Sequence, residues 1–156
     1  MRSKLLAAVL ATATIATTAT VFSATPASAA GPVKITAAYY DPNPGGPDPD
    51  TNAGRNQEYI VVRNSGSRRV TMTGWVLHDV PRAGSTNKFV FPSFSLRPGK
   101  TVRIHTGSGS NSSTDLYWGS SVYIWGDDSD TATLQKSGTT VSTCGWTTGS
   151  TPPKFC

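Results

Sequence analysis

Beyond residue 30 the apolar residues of this chain fall at every second position in short runs, and nowhere at helical spacing. Alternation of that kind marks half-buried strands, because successive side chains of a strand point to opposite faces. Ile60 and Val62 share one face, while Tyr59, Val61 and Arg63 share the other. Val33 with Ile35, Trp75 with Leu77 and Asp79, Phe89 with Phe91, and Val102 with Ile104 repeat the pattern. The runs predict strands over residues 33–40, 58–64, 70–78, 89–91, 101–105, 116–118, 122–125, 131–135 and 139–143. Gly, Pro, Asn and Asp punctuate them: a long loop from Asp41 to Asn56, a turn at Arg97-Pro98-Gly99-Lys100 and a hairpin at Ser137-Gly138. Gly74, inside the third run, marks a bulge or a close approach of backbone. Seven to nine short strands at regular spacing predict an all-β sandwich.

The start of the chain has a different character. Arg2 and Lys4 precede an uncharged stretch from Leu5 to Phe22, which ends in Ala27-Ser28-Ala29-Ala30. This is the layout of a secretory signal peptide, with cleavage expected after Ala29 and Ala30 the alternative. Residues 1–29 are thus read as a leader and residues 30–156 as one domain. No membrane span is expected after cleavage, and the protein is placed outside the cell or on the wall. Arg2 and Lys4 leave with the leader, so 12 of the 14 basic residues face 9 acidic ones, and the whole-chain charge of +5 falls to about +3. Export also places the only two cysteines, Cys144 and Cys156, in an oxidising compartment, where they are expected to pair.

Chemistry is sparse. Glu58 is the only glutamate, so paired carboxylates are thin, and His78 and Asp79 are neighbours on one strand and point apart. His105 reads as a surface residue. The sharpest lead is oxygen-rich: Asp48, Asp50 and Asn52 alternate in the long loop, with Asp41 before them and Glu58 after. Such a set could turn its oxygens onto calcium. It departs from an EF-hand loop at the sixth position, Ala53, and at the twelfth, Tyr59. Asp127, Asp128 and Asp130 form a second acidic group, explained as well by a turn. The basic residues, among them Arg63, Arg68, Arg69, Arg97, Lys100 and Arg103, read as scattered, whereas phosphate binding needs them on one face. Tyr59, Trp118 and Tyr123 could stack on bases or sugar rings.

Several of these residues together resemble a family. Glu58-Tyr59-Ile60-x-Val62-x-Asn64, Gly74-Trp75-x-Leu77-x-Asp79, Phe89-x-Phe91-Pro92, Leu96-x-Pro98-Gly99, and Trp125 followed by Asp130-Thr131-Ala132-Thr133-Leu134 are similar in order and spacing to a lamin-tail domain. The match is to the short, stand-alone secreted form found in actinobacteria. The resemblance implies an immunoglobulin-like β-sandwich in which Trp75 fills the gap between sheets. Asn64, Asp79 and Asp130 would cap loop backbone, and Glu58, Gly74, Leu77 and Trp125 belong to the same structural motif. It implies a non-catalytic, monomeric binding or structural module. A wall glycan, an extracellular polyanion or a protein is the expected partner, and a small hydrolase with an unrecognised site is the competing class.

Overall fold

The computed structural model describes residues 32–79 and 87–156; the predicted leader and most of the loop after Asp79 lie outside them. The elements run β1 (Val33–Tyr39), α1 (Asn52–Arg55), β2 (Tyr59–Asn64), β3 (Val70–Thr71), β4 (Val76–Asp79), β5 (Lys88–Val90), β6 (Ser95–Leu96), β7 (Thr101–His105), β8 (Asp115–Tyr117), β9 (Asp130–Lys136), β10 (Thr139–Trp146) and β11 (Lys154–Phe155). They form a five-stranded sheet, β11-β1-β2-β7-β8, a four-stranded sheet, β10-β9-β4-β5, and a two-stranded ribbon, β3-β6. All pairings are antiparallel except β7 with β8.

The inward rows of the two larger sheets meet in one core. Ile35, Ile60, Val62, Val102, Ile104 and Leu116 from one side pack with Trp75, Leu77, Phe89, Ala132 and Leu134 from the other. Burying one such aliphatic side chain stabilises by roughly 1.5–3 kcal/mol, so this alternation fixes the strand faces. The result is the β-sandwich that the pattern predicts, of the immunoglobulin-like kind that the resemblance implies.

Four local features differ from expectation. The run 70–78 is two strands, because the chain turns at Gly74 (φ +76°), where its amide donates to Phe91 O at 3.0 Å. Residues 122–125 alternate like a strand but pair with none among the described residues. A short helix, α1, occupies the loop expected to lack one. Thr51 caps it, its Oγ1 accepting from the Gly54 amide at 3.0 Å. Finally, the tail beyond residue 150 supplies β11, an edge strand on β1.

Cys144 and Cys156 form a disulfide with Cα atoms 5.7 Å apart. Cys144 lies in β10, in the four-stranded sheet. Cys156 follows β11, in the five-stranded sheet, and its amide donates to Thr36 O at 3.0 Å. The bond therefore clamps the edges of the two sheets together.

Candidate functional site

Glu58 is fully buried just before β2. Its Oε1 accepts from the Trp125 amide at 2.9 Å and its Oε2 from the Ile124 amide at 3.1 Å, and the Thr106 hydroxyl also donates to Oε2. Burial pushes the carboxyl up to about 8, although Thr106 and the two amides pull the other way. Those bonds explain why residues 122–125 are not a strand. The amides of Ile124 and Trp125 turn onto a buried side chain instead of a neighbouring strand, which carries both residues into the core.

The expected calcium set is not gathered. Glu58 is engaged as described. Asp50 is fully at the surface, ion-paired to Arg55 at 2.8 Å. Asn52 bridges to the loop after β7, donating to Ser108 O at 2.9 Å and accepting from the Ser108 amide at 2.7 Å. Asp41 and Asp48 do meet, both accepting from the Asn43 amide, at 3.0 and 3.1 Å. Their third neighbour is Asp127 from the second acidic group, each offering an oxygen within 4.8 Å of the others. Alternating spacing failed as a guide because α1 rotates Asn52 away and Arg55 draws Asp50 outward.

His105 is not a surface residue. It lies 9 % exposed in a cross-strand row, Tyr39, Tyr59, His105 and Tyr117, which are direct register partners on four adjacent strands. Tyr39 stacks on Tyr59 at 4.3 Å, Tyr59 tilts onto His105 at 5.1 Å, and His105 stacks on Tyr117 at 5.0 Å. The imidazole is held at both nitrogens, by Asn56 O at 2.7 Å and Asp115 Oδ1 at 3.0 Å. A hydrogen bond from Thr114 holds the Asp115 carboxyl below the usual range, with His105 and Arg103 adding to it and burial opposing. Because the rings stack on one another, the row uses its faces internally. It braces the sheet. Trp118 packs half-buried against Phe89 and Trp125, and the Tyr123 hydroxyl donates to Pro49 O at 2.8 Å, tying that ring to the long loop.

The opposite end of the sandwich is basic. Fully buried Asn64 organises it. Its Nδ2 donates to Arg68 O at 2.8 Å and Leu96 O at 3.0 Å, and its Oδ1 accepts from the Gly66 amide at 3.0 Å. Its own amide donates to Lys100 O at 3.0 Å, and its carbonyl accepts from Gly99 at 2.8 Å. One residue thus pins the carbonyls just before Arg69 and Arg97 as well as the turn that ends in Lys100. In that turn Pro98 presets φ and Gly99 adopts φ +70°, bringing Arg97 and Lys100 together. Arg69, Arg97 and Lys100 line one cleft of about 520 Å³. Cations that read as scattered along the sequence are gathered here.

Asn64 capping one end of β2, Glu58 at its other end, Trp75 between the sheets, and Asp130, which accepts from the amides of Gly126 at 2.9 Å and Thr131 at 2.6 Å, make a consistent architecture. The lamin tail domain family model matches residues 26–148. The chain belongs to the lamin-tail domain family. No curated protein matches it at a significant level.

In this lamin-tail domain the motif residues serve the backbone. Glu58, Asn64 and Asp130 all bond to main-chain groups: Glu58 to a distant loop, Asn64 to its own turn and to Leu96, and Asp130 to its own turn. Asp79 is buried at the end of β4, facing away from half-buried His78, whose Nδ1 lies 3.0 Å from Asp79 O. Among the described residues no helix is long and apolar enough to cross a membrane. Sequence reasoning missed the cleft because its three cations come from two separate turns, and missed the stacked row because its four members depend on strand register. The one available signal was Asn64 itself, a polar residue on the inward face of an otherwise apolar strand.

Proposed function

We propose that this lamin-tail domain is an exported, non-catalytic module of the short secreted kind. It acts as a monomer and holds an extracellular or wall-associated partner, a glycan, polyanion or protein, on its surface. One observation carries this reading: the groups best suited to acid–base chemistry are engaged in architecture. Glu58 receives two amides and a hydroxyl, and His105 is held at both nitrogens between two tyrosine rings. A general base needs reach to a substrate proton, which neither arrangement leaves. Export is supported by the leader pattern and by a disulfide that joins the two sheets.

The test uses the protein as produced from its full gene. It should accumulate outside the cell without residues 1–29, carry no free thiol, and show no turnover on a broad panel of ester, glycoside, peptide and phosphoester substrates. Retention inside the cell with reduced cysteines would sink the export reading. Turnover that tracks the purified protein would sink the non-catalytic one.

A further inference from the structure

We propose that the cleft formed by Arg69, Arg97 and Lys100 is a seat for a tetrahedral oxyanion, phosphate or sulfate, carried on an extracellular polysaccharide. The ribbon β3-β6 is antiparallel, with Val70 opposite Leu96, so Arg69 and Arg97 reach facing positions at its open end. Like charges placed opposite one another are unfavourable unless something between them is negative. None of the three makes an ion pair with a described carboxylate, and none of the described residues lining the cleft is acidic.

The charge extends onto the neighbouring sheet. Lys34 and Arg63 are direct register partners on the outer face, both exposed, and Thr101 pairs with Arg63 while also lining the cleft. Five cations therefore occupy one end of the sandwich. Asp41, Asp48 and Asp127, with Asp128 beside them, lie beyond the other end, where Tyr39 meets Tyr59 and Trp146 pairs with Asp130. A domain polarised in this way orients an approaching polyanion by its field.

Geometry favours a sugar polymer over nucleic acid. Single strands are held by aromatic faces on which bases stack, and duplexes by extended rows of phosphate contacts. Among the described residues the only ring lining the cleft is Phe94, half-buried and tilted against Phe91 at 6.4 Å. What surrounds the cations is hydroxyl: Ser93, Thr101 and Ser113 line the cleft, and none of their hydroxyls is hydrogen-bonded to another described residue. Arginine forks and lysine bind the oxyanion, and free hydroxyls match those of a sugar. That the polymer is extracellular rests on the export reading; the anion seat does not.

The experiment measures binding of the whole secreted protein to three probes over a salt series: a sulfated polysaccharide, a phosphodiester-linked polyol polymer, and duplex DNA. The sulfated and phosphate arms distinguish the two sources of the oxyanion. At least one should bind, weaken steadily with salt, and lose about tenfold or more in Arg97→Ser/Lys100→Ser, with a shallower salt slope. Both substitutions lie on exposed positions, so folding should be kept, and melting checks this. Lys88→Ser, which removes one charge from the four-stranded sheet, should change little. Failure of both polysaccharide-type arms, or equal weakening by Lys88→Ser, overturns the proposal. DNA binding as tight as either polymer and equally sensitive to the cleft variant overturns the polysaccharide class. Turnover of any probe would count against the non-catalytic reading while leaving the seat in place.

Discussion

The carboxylate of Glu58 accepts a hydrogen bond from the main-chain amide of Trp125 at 2.9 Å, across 67 residues of chain. Through that contact the single glutamate ties the start of β2 to a loop whose sequence reads as a strand. Removal of its charge from water is what raises its proton affinity.

Stability should therefore fall as pH rises from about 4.5 to about 8, the free and folded values for Glu58. The sign follows from linkage: the folded state holds this proton more tightly than the unfolded chain, so the group's contribution is complete below 4.5 and is lost as pH passes 8. The slope is at most about 1.4 kcal/mol per pH unit for one proton. Urea melts at pH 5, 6.5 and 8 read it directly. Glu58→Gln cannot titrate, so it should flatten that slope while destabilising at pH 5, because its amide nitrogen cannot accept from Ile124.

Opening the disulfide by Cys156→Ser frees the clamp between the sheets. A closed loop of this length contributes about 3 kcal/mol in chain-entropy terms, which corresponds to a drop of roughly 10 °C in melting temperature. Hydrogen exchange should show the loss concentrated at the amides of β11 and at its β1 partner. An unchanged melting temperature would mean that β11 docks without the bond.

Asn64→Ala removes the amide that serves Arg68, Leu96 and Gly66. One buried carbonyl and a part-buried carbonyl and amide lose their partner, so the expected cost is about 2–4 kcal/mol. Calorimetry measures it. The ribbon β3-β6 should show the greatest loss of exchange protection, since it is only two residues long on each side.

Ser137 sits at φ +49° before Gly138 at φ +78°, the conformation of a tight two-residue hairpin between β9 and β10. Asparagine tolerates that region better than serine. Ser137→Asn should raise stability by about 0.5 kcal/mol, seen as a higher urea midpoint at an unchanged m-value.

The residues that could be read from the sequence are those whose partners are set by local rules. Alternation placed Ile60, Val62, Val102 and Ile104 inward because strand periodicity needs no knowledge of the neighbour. The Arg97-Pro98-Gly99-Lys100 turn announced itself by its chemistry. Glu58 did not, because its donors at 106, 124 and 125 converge only after the sheets close. The same holds for Asp50 and Asn52: their alternate spacing looked like a ligand set, but Thr51 caps a helix that begins at Asn52 and Arg55 of that helix draws Asp50 outward. His105 looked exposed because nothing local shows that Tyr59 and Tyr117 will stand on either side of it.

The most direct measurement of the account is an amide chemical-shift map of the isotope-labelled secreted protein titrated with the anionic polymer fraction of cell wall. Saturable shifts clustered at residues 68–70 and 95–101, abolished by high salt, are the predicted result. Shifts centred on Glu58, Ile124 and Trp125 or on the tyrosine–histidine row, with residues 95–101 unmoved, would contradict it.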